Sequence, residues 1–303
     1  MSLPSALQTL ANYRTHNTRA SQDVLETGVE ALKANAVVKM GDDAWAFLEQ
    51  LTLAAIDCGR LDIADECLEE LAKTFPGSTR VNVLTGIRME ASESPEIVLK
   101  FYDDQLQEDS SNAAIWKRRI SVLRRTGKTE KCVEELTTYL DTFYNDLEGW
   151  VELADIYSFC NQYTFALQAL SHCLLLAPQN PFYALQFAET AFTANDLPLA
   201  LKMFLVVVDM CEQDLSTPTE AKESVPSGIS VRAWYGVKLC CRRALGRSAT
   251  SITSQSNTAL PETKKLKKLD ELATERVLTA YSASARGAEG KGVVMAWMGS
   301  NDY

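Results

Sequence analysis

A spacing of 34 residues governs this sequence. One site reads Thr52, Gly86, Ile120, Ala154 and Ala188; a second reads Ala64, Val98, Cys132, Ala166 and Ala200. Four residues after the second come Leu68, Tyr102, Leu136, Leu170 and Phe204, and residues four apart share one helix face. Between the first and second sites stand Gly59, Glu93, Gly127, Asn161 and Asn195. Gly and Asn take the left-handed conformation that closes a helix. At Glu93 the following Ser94-Pro95 does the work instead, since Pro suits the first turn of a new helix. Each frame therefore reads as a helix–turn–helix hairpin, and five frames run without insertion from about Trp45 to Glu212. Small residues at the crossing let two backbones approach, and large ones one turn away fill the space between hairpins. Each hairpin buries one face against itself and another against the next, so stability is collective.

The clearest frame is Trp150-Val151-Glu152-Leu153-Ala154-Asp155-Ile156-Tyr157, followed by Ala166, Leu170, Cys173 and Pro178. This layout resembles the tetratricopeptide repeat, and it predicts an all-α, right-handed superhelical solenoid. Residues 1–44 read as an N-terminal helical cap, with helices over Pro4–Thr15 and Ser21–Met40 and Ser21 as N-cap. Residues 45–212 hold the five repeats. Residues 213–285 read as degenerate C-terminal helices interrupted by polar insertions at 213–230 and 246–261. Their helices are expected over Val231–Leu245 and Glu262–Ser284, the latter with Leu266, Leu269, Leu272 and Val277 as its packed side. Residues 286–303 read as a flexible tail whose apolar run, Val293 to Met298, needs cover.

Composition removes several functional classes. With 303 residues, 46% apolar and 23% charged, and only 14 Gly and 9 Pro, the chain is a folded one. Thirty Lys+Arg against 40 Asp+Glu give a net charge of −10, which argues against broad binding to nucleic acid or anionic lipid, a local basic patch aside. The start, Met1 to Ala6, lacks a secretory pattern, and no apolar stretch is long enough to span a bilayer. Eight cysteines without a C-x-x-C pair predict reduced thiols in a cytosolic protein. Two histidines, His16 and His172, offer little for catalysis or metal binding. Gly290-Lys291 fails as a phosphate loop because Ala285 and Gly292 occupy the flanking motif positions. Glu69-Glu70 and Glu134-Glu135 read as solvated helix faces. The expectation is a non-enzymatic chain without cofactor or metal.

What stacked hairpins offer is a concave groove lined by successive first helices. In the 34-residue frame, Lys117, Arg118, Arg124 and Arg125 face it from the third repeat. Val151, Asp155 and Phe159, then Phe182, Leu185, Glu189 and Phe192, face it from the next two. A basic centre beside an aromatic half suits a partner segment with acidic and apolar residues. Lys264-Lys265 and Lys267-Lys268 read as a charged helix face.

A more specific likeness lies in the turns and groove positions. It is carried by Gly41-Asp42-Asp43-Ala44-Trp45, Ala54 to Arg60, Phe75 to Val81 and Leu84 to Ala91. Leu106 to Asp109, Lys117 to Ile120, Gly127-Lys128, Tyr139-Leu140, Trp150 with Glu152 to Ala154, and Gln186 to Glu189 extend it. Over about residues 20–245 the chain resembles the second subunit of the endoplasmic reticulum (ER) membrane protein complex. The resemblance implies a non-catalytic scaffold at the cytoplasmic face of the ER membrane, peripheral through partner subunits. Its implied partners are the cytosolic segments of membrane-embedded subunits and other soluble subunits. The complex is implied to place transmembrane helices, including tail anchors and those of multipass proteins, into the bilayer. The alternative is a soluble co-chaperone that binds chaperone C-terminal peptides. It is disfavoured because Ser121 and Glu152 stand where a carboxylate clamp needs Asn and Lys-type donors.

Overall fold

The computed structural model describes residues 3–212, 224–246, 254, 256–283 and 287–299. All regular elements among them are helical. The chain divides into two compact units, Met1–Tyr139 and Leu140–Tyr303. No described helix is long and apolar enough to cross a membrane.

Unit 1 opens with α1 (Leu3–Thr15) and α2 (Ser21–Lys33), then a short 3-10 turn (Ala36–Lys39). The hairpins that follow are α3 (Asp43–Asp57) with α4 (Leu61–Thr74), α5 (Thr79–Ser92) with α6 (Pro95–Glu108), and α7 (Ala113–Arg125) with α8 (Thr129–Thr142). The unit boundary falls near the end of α8. In unit 2, α9 (Leu147–Phe159) pairs with α10 (Tyr163–Leu176), and α11 (Pro181–Thr193) with α12 (Leu197–Glu212). Three further helices follow: α13 (Ile229–Leu245), α14 (Thr263–Ser282) and α15 (Gly287–Gly299).

The 34-residue register is visible in the backbone. Gly59, Gly127, Asn161 and Asn195 all have positive φ, between 59° and 73°. After each, the next N–H reaches back five residues: Arg60 to the Ala55 carbonyl, Lys128 to Leu123, Gln162 to Tyr157 and Asp196 to Ala191. This bond satisfies a carbonyl that the helix end would otherwise orphan. At the second hairpin Glu93 stays extended and Pro95 starts α6. All fifteen positions of the three sequence rungs are buried. The tightest crossing is at Gly86, where a Cβ would lie 2.3 Å from Cε1 of the fully buried Tyr102. Gly236 on α13 plays the same part against Phe204, again at 2.3 Å.

Several sequence expectations change. The second cap helix ends at Lys33, not Met40, because Asn35 turns left-handed (φ 50°) and Ala36 is drawn into the core. Ser21 is not an N-cap; its hydroxyl donates to Asp57 Oδ2 at 2.6 Å. Leu272 on α14 is exposed, and Ala273 and Arg276 are buried beside Leu266 and Val277 instead. The tail expected to be flexible contains α15, whose Val294 and Met298 pack on the unit 2 core. That apolar contact outweighs the helix cost of its glycines. Most of the two polar insertions, 213–223 and 247–253, lies outside the described residues.

Candidate partner-binding surfaces

Unit 1 holds a concavity of about 700 Å³ lined by α1, α3, α5 and α7 together with the α1–α2 turn. Its floor is apolar, with Val24, Leu53, Ile56 and Ile87, and its rim is charged. Four first-helix or cap arginines meet it: Arg19, Arg80, Arg118 and Arg125, with Arg14 from α1. Three of these five are tied to carboxylates on a neighbouring helix. Arg19 forms a two-pronged pair with Asp57 (2.7 and 3.0 Å), and Arg80 contacts Glu49 at 2.6 Å. The Arg19 guanidinium holds the Asp57 carboxyl below the usual range, with burial opposing and Ser21 assisting.

The third pair is the most enclosed. Glu90 Oε1 accepts from Tyr102 Oη at 2.7 Å and from Arg118 Nη2 and Nε at 2.6 and 2.9 Å. Only 8% of the Glu90 side chain is exposed. Burial works against the Arg118 charge, but bonding and attraction to Glu90 outweigh it, so the guanidinium stays protonated more firmly than usual. Burial and then Glu90 push the Tyr102 phenol upward. This triad joins the second hairpin to the third.

Arg118 is therefore committed within the fold rather than offered to a partner. Of the four basic positions read from the sequence, Arg118 and Arg125 line the concavity; Lys117 is half-buried and engaged elsewhere, and Arg124 is exposed and also engaged. Arg125 is exposed and makes no ion pair or hydrogen bond among the described residues. Arg14 contacts no carboxylate and donates to Gln50 Oε1 at 2.8 Å. Among the described residues, Arg14 and Arg125 are thus the two guanidiniums of this concavity without a counter-charge. Reading missed Arg14, Arg19, Arg80, Glu49, Asp57 and Glu90. The frame did carry a signal for some of them: one repeat before Arg124 is Glu90, and two repeats before Lys117 and Arg125 are Glu49 and Asp57. No frame reaches Arg14 or Arg19, which lie in the cap.

Unit 2 presents a different face. Phe159 and Phe182 are 84% and 63% exposed, on α9 and α11. Asp155 is exposed and accepts from Gln186 Nε2 at 3.4 Å, and Val151 is half-buried. Glu189 is held by Arg232 (2.5 and 2.9 Å), and Phe192 lies under Arg243, 4.5 Å from the ring centroid. Leu185 corrects the reading: it is 5% exposed and belongs to the core, because α11 turns Gln186 outward in its place. His172 stacks on Trp150, with centroids 4.1 Å apart. Among the described residues no His, Cys, Asp and Glu cluster has the arrangement to hold a metal ion.

Hairpins in this register, four of the five closed by a left-handed residue and all sealed by three buried rungs, define a tetratricopeptide-like helical-repeat protein. The solved C-terminal part of a TPR repeat-containing protein from Cytophaga hutchinsonii shares this fold, at TM-score 0.56 and 11% identity over 95% of this chain and 99% of that one. The family described as the EMC2 TPR-like repeat domain matches residues 83–200. "ER membrane protein complex subunit 2-A" of Xenopus laevis is 43% identical over 188 residues, 62% of this chain and 63% of that protein. "TPR repeat protein oca3" of Schizosaccharomyces pombe is 28% identical over 256 residues, 80% of this chain and 85% of its own length. The chain is thus similar, over part of its length, to proteins named ER membrane protein complex subunit 2. It spans 63% of the length of the Xenopus relatives it matches.

Proposed function

We propose that the chain is a non-catalytic scaffold subunit of an ER membrane protein complex. It sits at the cytoplasmic face of the ER membrane, peripheral through partner subunits. There it organises membrane-embedded and soluble subunits for insertion of transmembrane helices, those of tail-anchored and multipass proteins included. The observation that carries this reading is the 43% identity to a protein named as subunit 2 of that complex. The unit 1 concavity fits the role, since an apolar floor within a charged rim gives a partner segment both anchorage and register.

Arg125 with Arg14, and separately Phe159 and Phe182, are the partner-facing groups. Lys117, Arg124, Val151, Asp155, Glu189 and Phe192 border them. Arg118 and Leu185 serve the fold. Affinity purification of the tagged chain from detergent-solubilised membranes tests the reading. Recovery of integral membrane proteins in fixed ratio to the chain is the expected result. Recovery of soluble chaperones alone overturns it.

A further inference from the structure

The end of unit 2 carries a charge arrangement that hairpin packing does not require. Helix α14 bears Lys264, Lys265, Lys267 and Lys268 in its first two turns and no acidic residue in its first turn. Cations at a helix N-terminus oppose the macrodipole, so this placement works against the helix. Nor is it relieved locally. All four lysines are exposed, none makes an ion pair or hydrogen bond among the described residues, and the N-cap Glu262 makes no side-chain capping bond. The buried side of α14 is Leu266, Ala273, Arg276 and Val277; the helical period turns Lys264, Lys267 and Lys268 away from it and leaves Lys265 at its flank, beside the line of Arg276. Glu271 and Glu275 share the outward side but lie further along, so the positive charge is concentrated at one end.

Neighbouring helices add to that end. Lys238 Nζ meets Asp270 Oδ2 at 2.7 Å, and Tyr235 meets Tyr281, so α13 and α14 run antiparallel. Arg242 and Arg243, in the last turn of α13, therefore lie toward the lysine end. Helix α15 returns along α14: Gly290 lies beside Tyr281, and the Trp297 carbonyl accepts from Arg242 Nη1 at 3.0 Å. Its inner side chains pack on the core, while Val293 is 72% exposed, Met295 52% and Trp297 36%. The result is a basic end edged by exposed apolar side chains and a half-covered tryptophan. Those are the components of a surface that rests in a headgroup layer. A purely solvated face needs no apolar edge, and an acidic protein segment answers the lysines without it.

We propose that this end of unit 2 contacts anionic phospholipid directly, the lysines meeting headgroup phosphate and carboxylate and the α15 edge entering the headgroup–acyl boundary. This goes beyond the scaffold reading, in which the chain reaches the membrane only through partners. Flotation of the purified full chain with phosphatidylcholine vesicles, with and without about 30% phosphatidylserine, tests it. Expected is binding to the anionic vesicles only, weakened by salt. Joint K264E, K265E, K267E and K268E reversal lowers binding about a hundredfold or more, and V293S with M295S lowers it about tenfold. Each variant keeps the helical circular dichroism and melting temperature of the parent. Equal recovery with neutral vesicles, no flotation at all, or flotation unaffected by the reversal overturns the proposal. So does a reversal that leaves vesicle binding intact but sheds an acidic protein partner. Co-purification of other subunits with the same variant is scored separately; subunits retained while vesicle binding is lost supports lipid contact, whatever becomes of the scaffold reading.

Discussion

The two units use the same hairpin and place their charges in opposite ways. In unit 1 three arginine–carboxylate pairs lie along the concavity, Arg19–Asp57 at the α1–α2 turn and Arg80–Glu49 and Arg118–Glu90 between successive first helices. In unit 2 the first helices expose Phe159 and Phe182, and the enclosed charges sit between α14 and the elements packed against it. There Lys238, 6% exposed, meets Asp270 and Thr274, and Arg276, also 6% exposed, meets Ser224 and Glu212. The rungs fix the repeat in both, so the faces are free to differ. Charge at a rim sets register and partner choice, charge between helices constrains the fold, and exposed rings supply area for a partner.

That contrast can be broken by substitution, in descending order of effect. Lys238→Met leaves Asp270, whose Oδ1 already lacks a hydrogen bond, without its counter-charge. Loss of about 3 kcal/mol is expected in denaturant unfolding of unit 2. Gly86→Ala drives a Cβ into the Tyr102 ring and destabilises unit 1 by about 2 kcal/mol, with hydrogen exchange rising first in α5 and α6. Arg118→Ala orphans Glu90 and costs somewhat less, about 1–2 kcal/mol, because a third of the Arg118 side chain is exposed. Arg80→Ala, at an exposed pair, moves stability by less than about 0.5 kcal/mol. An Arg118 loss no larger than the Arg80 loss dissolves the distinction between fold-holding and rim charge.

Alkaline pH separates the units by a smaller margin. Burial pushes the thiols of Cys67 and Cys241 up to about 12 and Cys173 to about 11, from 9.0, and raises Cys240 further. These groups stay protonated in the folded chain while the unfolded chain ionises. Their contribution is complete below pH 9 and is lost as pH rises toward 12. Unit 2 holds three of the four, so its melting temperature falls more steeply over that window. Cys240→Ala with Cys241→Ala flattens the slope, and an unchanged slope contradicts the assignment.

Much of the fold was legible because a periodic packing rule repeats its evidence five times. Ala154 or Leu170 alone says little, but each belongs to a series in which only burial explains the residue type. The closing residues were legible for a similar reason, since Gly59 and Asn161 are forced by backbone conformation. The site was harder. Lys117 and Arg118 are adjacent in sequence and both basic, yet Arg118 reaches back to Glu90, and no composition rule separates a paired guanidinium from an idle one. Leu185 and Gln186 differ by one position, and a helix rotated by 100° exchanges core for surface. Helix α15 was missed because three glycines suggest a loose tail, while the decisive contact, Trp297 with Arg242, joins residues with no fixed spacing.

In the proposed scaffold role, partner capture runs through Arg14 and Arg125, the guanidiniums of the unit 1 concavity that have no counter-charge among the described residues. Quantitative co-purification of the full chain carrying Arg14→Glu and Arg125→Glu, beside the parent, tests it most directly. The expected result is loss of at least about nine-tenths of the membrane-embedded partners, equivalent to 1.4 kcal/mol or more, with an unchanged melting temperature. Partner recovery equal to the parent, with both substitutions present and the fold intact, contradicts it.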